Sequence, residues 1–277
     1  MVFNKKNPIG VFDSGYGGLT IFKEIQTLLP ELDYIYMGDN ARSPYGVRSF
    51  EVVYEFTLQA VKWFFNQGCH LVILACNTAS AKALKTIQQK DLPQIAPEKR
   101  VLGIIRPTVE NIGKITRTNH VGILGTPGTI SSLSYPLEIQ KLFPEITVSG
   151  EACPMWVPLV ETGEYDKPGA DYFIQQNLYN ILHKDPKIDT LILGCTHYPL
   201  LENKIRQFLP VSVQLISQGK LVAKSLRDYL FRHPEIKKEC STTGTTQFFT
   251  TESETKFSQM ASVFLEDSIK CRRISFP

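Results

Sequence analysis

Residues 71–78 read LVILACNT: five uncharged apolar residues that stop at Cys76 and pass directly into Asn77-Thr78-Ala79-Ser80-Ala81-Lys82-Ala83-Leu84. The apolar run is β-branched and too short for a helix, so it reads as a strand buried on both faces; the small polar residues after it start a helix. The same order recurs at TLILGCTH, 190–197, with Pro199 placed as a first-turn proline of the following helix. Working outward, further strands are expected at 9–13 (IGVFD), 34–38 (YIYMG), 101–105 (VLGII), 121–125 (VGILG) and 213–217 (VQLIS). Helical periodicity fills the intervals: 19–29, 50–67, 131–143, 170–183, 200–209 and 221–231. A polar loop at 238–246 precedes one more strand and helix, QFFTT and then ETKFSQMASVFLED. Strands alternating with helices make an α/β protein with mostly parallel sheets.

Two pairs of segments repeat in the same order. IGVFDSGYGG at 9–18 aligns with VGILGTPGTI at 121–130, and LVILACNT with TLILGCTH, at offsets of 112 and 119 residues. Any βα corner needs small polar residues, but two matched pairs in one order point to duplication. The expected architecture is therefore two pseudo-symmetric α/β domains with the active site in the crevice between them, at the carboxyl ends of the strands. KDLPQIAPEKR at 90–100, with two prolines and mixed charges, is the best candidate crossing between domains.

Composition narrows the function. With 30 Lys+Arg against 27 Asp+Glu, the net charge of +3 is too small to imply a nucleic-acid partner or an anionic membrane. No apolar run approaches the length of a membrane span, and MVFNKKNPIGVFDSG has no signal-peptide core, so a cytoplasmic location is expected. Six cysteines in 277 residues are not a disulfide framework, and none stands at zinc-ligand spacing, so no metal is expected. Cys69, Cys153, Cys240 and Cys271 have no polar constellation beside them and read as small buried hydrophobes.

Cys76 and Cys195 differ because each ends a strand at a helix start, where free amides and the helix dipole stabilise a thiolate. The same amides, with the hydroxyls of Thr78 and Thr196, form a carboxylate-binding pair. Two such thiols facing one crevice from opposite sides suit a reaction in which one thiolate removes a proton from a carbon and the other thiol returns one to the opposite face. A redox pair is the competing chemistry, but the two cysteines are not adjacent in any dithiol motif. A protein that only senses an amino acid needs neither thiol. A pyridoxal enzyme needs a lysine at a strand end, whereas Lys82 lies well inside its helix, so no cofactor is expected. The loop Asp13-Ser14-Gly15-Tyr16-Gly17-Gly18 is neither a dinucleotide fingerprint nor a P-loop; its glycines allow close approach to a ligand, Asp13 suits an ammonium or a proton, and Ser14 a carboxylate. His197, two residues after Cys195, suits polarising that thiol.

Taken together, IGVFDSGYGGLT, GDNARSPYG, LVILACNTASA, VGILGTPGTI, CPMWVPLVETGE and LILGCTHYPLL resemble the glutamate racemases of the cofactor-independent aspartate/glutamate racemase superfamily, in order from residue 9 to about residue 200. The resemblance implies racemisation of glutamate, supplying D-glutamate for peptidoglycan, with Cys76 and Cys195 as opposed acid/base thiols. Asp13 and His197 would assist them, Glu161 would sit near His197, and Cys76 would deprotonate the D-enantiomer. Asp13, Ser14, Tyr45, Gly46, Asn77, Thr78, Thr196 and His197 would line the substrate, with Thr126 and Thr129 as further carboxylate contacts. It also implies a homodimer and a discontinuous first domain, 1–100 with 211–277, around a second at 101–210. The glutamate-type LGCTHYPLL weighs against a sister enzyme acting on aspartate. Asn40, Ser43, Arg106 and Ser217-Gln218-Gly219 depart from the family pattern: Arg106 is expected to alter the crevice or an interface, and the last three to bear on how the C-terminal segments dock. The short stretch before Ile9 carries the expectation that no N-terminal extension activates the enzyme.

Overall fold

The computed structural model describes residues 7–276, so the reading of MVFNKK lies outside it. Its strands are β1 (Ile9–Asp13), β2 (Tyr34–Gly38), β3 (Leu71–Leu74), β4 (Arg100–Gly103), β5 (His120–Gly125), β6 (Thr147–Ala152), β7 (Thr190–Gly194), β8 (Gln214–Ile216), β9 (Thr246–Thr250) and β10 (Cys271–Arg273). Two sheets form, in the orders β10-β9-β2-β1-β3-β4 and β6-β5-β7-β8, and every pairing among the described residues is parallel. The unit β2-β1-β3-β4 has the same order as β6-β5-β7-β8, so the repeat in the sequence reappears as topology. Strands β9 and β10 extend the first sheet beyond β2.

Central strands follow the apolar runs closely: β1, β3 and β7 are buried along their whole length because helices cover both faces of each sheet. Register then aligns their ends. Asp13 pairs with Gly38 and Phe12 with Leu74 in the first sheet, and Gly125 pairs with both Ala152 and Gly194 in the second. The loops that leave these strands therefore start from one edge of each sheet.

Three local expectations are corrected. Strands β6 (TVSGEA) and β10 (CRR) are edge strands whose polar residues hide them from a hydropathy reading. The run at 101–105 stops as a strand at Gly103, and Ile105 already belongs to the helix Ile105–Ile112. Leu133, at φ 56°, splits the helical pattern of 131–143, so that one helix ends at Ser131 and the next starts at Ser134. Strand β4 bonds to β3 and β8 to β7, so the chain passes from the first sheet to the second between Gly103 and His120 and leaves the second after Ile216.

The returning helix Gly219–Arg232 lies against Leu19–Leu28 so tightly that a Cβ on Gly219 would stand 2.8 Å from Glu24 Cγ. Phe22 meets Tyr34 and Phe248 edge-on at 5.4 and 5.7 Å, tying β9 into the first domain's core. No helix among the described residues is long and apolar enough to cross a membrane. Buried Asp33 anchors the loop before β9: its Oδ1 accepts from Thr243 N and Oγ1 at 3.2 and 2.7 Å, and from Thr245 N and Oγ1 at 2.7 and 2.8 Å. Burial raises this carboxyl's pKa, but the hydrogen bonds from the 241–245 loop outweigh it and hold the group well below the carboxylate range.

Asp33→Ala strands these donors, so urea unfolding is expected to show a loss of about 2–4 kcal/mol. Because the folded pKa is depressed, the carboxylate's contribution is complete above the unfolded value of about 3.9 and disappears as pH falls through the folded one. The difference between wild type and Asp33→Asn is thus expected to shrink on acidification below pH ~4, and a difference that stays constant there contradicts the assignment.

Candidate active site

The loops after β1, β2, β3, β5 and β7, and the helix after β6, bring the candidate residues to one interface between the sheets. Asp13 ends β1; Tyr45-Gly46 lie in a 3-10 turn after β2; Cys76 caps the helix Asn77–Lys82 after β3; Thr126 caps Pro127–Ser131 after β5; Glu161 ends the helix Trp156–Glu161; Cys195-Thr196-His197 follow β7. Cys76 is 5% exposed and Cys195 7%, and Asp13, Ser14, Tyr45, Gly46, Asn77, Thr78, Thr126, Thr129, Thr196 and His197 are all buried with them.

The glycine loop is built for close approach rather than for a left-handed backbone, since none of Gly15, Gly17 or Gly18 has positive φ. A Cβ on Gly17 would stand 2.6 Å from Thr196 Oγ1, and one on Gly18 2.6 Å from Asp13 Cβ. Thr20 Oγ1 reinforces this seam by donating to Thr196 O at 2.9 Å. The space saved by the glycines thus brings the first domain's loop against the second domain's Thr196 and His197.

The two thiols differ in their surroundings. Cys76 Sγ lies 3.4 Å from Ser14 Oγ and accepts from Ala79 N–H at 3.4 Å, as the side-chain cap of its helix. Burial pushes the thiol up to about 12, with the nearby Asp13 charge acting in the same direction against the two hydrogen bonds. Cys195, expected at a helix N-terminus as well, instead precedes a four-residue 3-10 turn at Tyr198–Leu201, and its polar partner is His197, with Nδ1 3.9 Å from Sγ. His197 Nε2 is 3.0 Å from Glu161 Oε1. Burial alone lowers the imidazole's pKa, but the hydrogen bonds and charges of Cys195 and Glu161 reverse this and raise it to about 10. At neutral pH an imidazolium therefore sits between a sulfur and a carboxylate.

Asp13 Oδ2 accepts from Gly15 N–H at 2.8 Å, whereas Oδ1 is buried with no partner among the described residues. Burial raises its pKa, opposed by the His197 charge and by the Gly15 and Gly18 amides. Cys76, Asp13 and His197 thus form one electrostatically linked cluster that crosses the interface.

Polar contacts also bind the two halves together. Thr78 Oγ1 is 3.0 Å from Thr126 Oγ1 and 3.4 Å from Thr129 Oγ1, and a Cβ on Gly46 would stand 2.8 Å from Thr126 Cβ. The Asn77 side chain is held by Gln218 and Tyr135, which leaves its backbone amide, in the helix's first turn, free of a helical acceptor. Tyr45 OH and Arg42 Nε both donate to buried Asp39 Oδ2, fixing the turn that carries Gly46. Asp39, Tyr135 and Gln218 escaped the sequence reading: Asp39 looked like a loop residue, Tyr135 like one member of a helical stripe, and Gln218 was visible only as a departure from a family pattern. Lys82 Nζ donates to Arg48 O at 2.7 Å. Arg106 does not enter the crevice; it lies exposed on its helix and pairs with Glu110 one turn on, at 2.9 Å.

Two parallel sheets thus bring a strand-end cysteine each to one interface, one of them beside an imidazole–carboxylate pair. The Asp/Glu/hydantoin racemase family model matches residues 9–226, and the chain belongs to that family, as an amino-acid racemase. A glutamate racemase of Roseobacter denitrificans is 38% identical over 278 residues, covering 97% of this chain and 98% of that one. Among solved structures, a glutamate racemase isoform from Bacillus anthracis superposes with a TM-score of 0.89 at 35% identity, over 99% of both chains. That of Francisella tularensis, in complex with D-glutamate, gives 0.86 at 34% identity over 98% of both.

The His197 assignment is checked by NMR titration of histidine-labelled protein. One imidazole is expected to titrate near pH 10 in the wild type, and in Glu161→Gln its midpoint is expected to fall towards the unperturbed value of about 6.5, since a partner that favours the charged form has been removed. A midpoint near 6.5 already in the wild type contradicts it.

Proposed function

We propose that this enzyme interconverts L- and D-glutamate by proton transfer at the α-carbon, with Cys76 and Cys195 as the two bases. The observation that carries this reading is the pair of cysteines at equivalent strand ends of the duplicated sheets, both buried at one interface. Glutamate is favoured as substrate by its relatives' activity and by the crowd of hydroxyls and helix-start amides, which suits two carboxylates.

In one direction the Cys76 thiolate takes the α-proton of D-glutamate and becomes a thiol. The Cys195 thiol then protonates the opposite face, leaving a thiolate and L-glutamate. The enzyme is now in the protonation state that accepts L-glutamate, and the reverse sequence restores it. His197, held cationic by Glu161, supplies the compensating charge while Cys195 is a thiolate. Asp13 stands beside Cys76 to exchange charge with it, and an α-ammonium near its unpartnered Oδ1 favours the carboxylate. The amides of Asn77 and Thr78, and the Ser14 and Thr196 hydroxyls, suit the substrate carboxylates. The assignment of Cys76 to the D-enantiomer rests on family resemblance, as do a homodimer, the discontinuous first domain and the supply of D-glutamate to peptidoglycan.

Wild-type protein given L-glutamate in D2O is expected to lose the α-proton NMR signal and to form D-glutamate, with L-aspartate in a parallel sample largely unchanged. Cys76→Ser and Cys195→Ser are each expected to lower turnover by at least about a thousandfold. Because enantiomers have equal free energy, kcat/KM must fall by the same factor in both directions. Exchange with aspartate alone changes the substrate; near-wild-type turnover in either variant rejects the two-thiol scheme.

A further inference from the structure

Gln218, 2% exposed, sits where the chain leaves the second sheet, immediately before the helix that returns to the first domain. Its carboxamide touches both halves. Oε1 accepts from Asn77 Nδ2 at 2.7 Å, and Nε2 donates to Tyr135 OH at 2.8 Å, to Thr108 Oγ1 at 2.9 Å and to Ile104 O at 3.2 Å. Tyr135 OH in turn donates to Asn77 Oδ1 at 2.7 Å.

These contacts close a ring. Asn77 donates to Gln218, Gln218 to Tyr135 and Tyr135 back to Asn77, so each group both donates and accepts in one sense around the cycle. Bonds in such a ring polarise one another, and in a buried setting the loss of one member leaves the others unsatisfied. The ring also takes in the other connection between the sheets, because Ile104 is the residue that follows β4. Both interdomain crossings, Ile104 and Ser217-Gln218, thus meet at this carboxamide.

The ring ends on the residue next to Cys76. Asn77 opens the helix capped by that thiol, so a fixed Asn77 side chain fixes the direction of the helix's free amides and the height of Sγ above the interface. Both thiols are nearly inaccessible as the halves now lie, so an amino acid enters only when they part, and parting turns the halves about the two connecting segments. A link at the pivot can hold its geometry through that movement, whereas the contacts at Thr78–Thr126 and Gly46–Thr126 lie on the side that must open.

We propose that Gln218 is a positioning residue for the racemisation: through its ring with Asn77 and Tyr135 it registers Cys76 and its helix start against the second domain each time the crevice closes. The proposal rests on the two-thiol reading above. The glutamine side chain is long enough to span Asn77, Tyr135 and Ile104 at once.

The test uses Gln218→Met, which keeps the volume and loses the bonds, and Tyr135→Phe, which removes only the hydroxyl of the ring. Neither side chain is placed against the substrate. Each variant is expected to lower kcat about ten- to a hundredfold for both enantiomers while KM changes less than about threefold, because misplacing a reacting group acts on the chemical step. The double variant is expected to be no worse than the weaker single one, since both break one ring. A second readout does not use activity: iodoacetamide labelling followed at each cysteine by mass spectrometry. Cys76 is expected to label at least about fivefold faster in the variants, with buried Cys69 and Cys153 unchanged. Folded variants with wild-type kcat overturn the proposal, as does uniform acceleration at all the cysteines, which marks general destabilisation. Should Gln218→Met fail to fold, Tyr135→Phe alone decides. If wild-type protein itself exchanges no glutamate α-proton, the proposed function fails instead, and selective Cys76 labelling still reports whether the ring holds that thiol.

Discussion

A parallel strand can pair with its neighbour only after the chain has been carried back to its starting edge by a crossover. Asp13 ends a strand of such a sheet and Tyr45, Cys76, Thr126, Glu161 and Cys195 follow others, and for that reason they emerge from the same kind of edge. Facing the two edges converts six separate loops into one site without any long-range signal in the sequence. The glycines at 17 and 18 then decide how near the two edges come, because a single added methyl group on either would collide with His197 and Thr196 or with Asp13.

The same proximity sets the electrostatics. Cys76, Asp13 and His197 lose nearly all contact with water, and each responds according to its neighbours. Burial dominates for Cys76 and Asp13, which have few hydrogen bonds to compensate, and both shift towards their neutral forms. For His197 the flanking sulfur and carboxylate outweigh burial, and the ring is held charged. Pseudo-symmetry of the backbone therefore ends at the thiols: one has a hydroxyl and a helix cap, the other a cation. On the proposed two-thiol reading, the two bases need not be identical, only able to exchange roles within one protonation balance.

Strands at the centre of each sheet were legible because their neighbours bury them on both sides, leaving apolar runs such as LVILA and TLILG. The edge strands β6 and β10 were not, since one side of each faces no strand among the described residues and Thr147, Ser149, Glu151, Arg272 and Arg273 are tolerated there. Ile105 was read as strand because hydropathy is blind to the bend at Ile104. Cys76, Cys195 and the glycine loop were visible through their position at strand ends and through the repeat. Glu161 was visible only through family resemblance, as its own surroundings in the sequence, VPLVETGE, resemble any exposed helix end.

Local sequence by itself determined the α/β alternation, the duplication and the two thiols, because each depends on contacts within a few residues or on a pattern written twice. Tertiary structure alone decided that Cys195 precedes a 3-10 turn rather than a helix end, that Glu161 reaches His197 from another element, and that Gln218, Asn77 and Tyr135 close a ring. Glu161 and His197, and Asn77, Tyr135 and Gln218, lie tens of residues apart in the chain, and hydrogen bonds act over about 3 Å. Their partners exist only once both sheets have formed and the interface between them has excluded water.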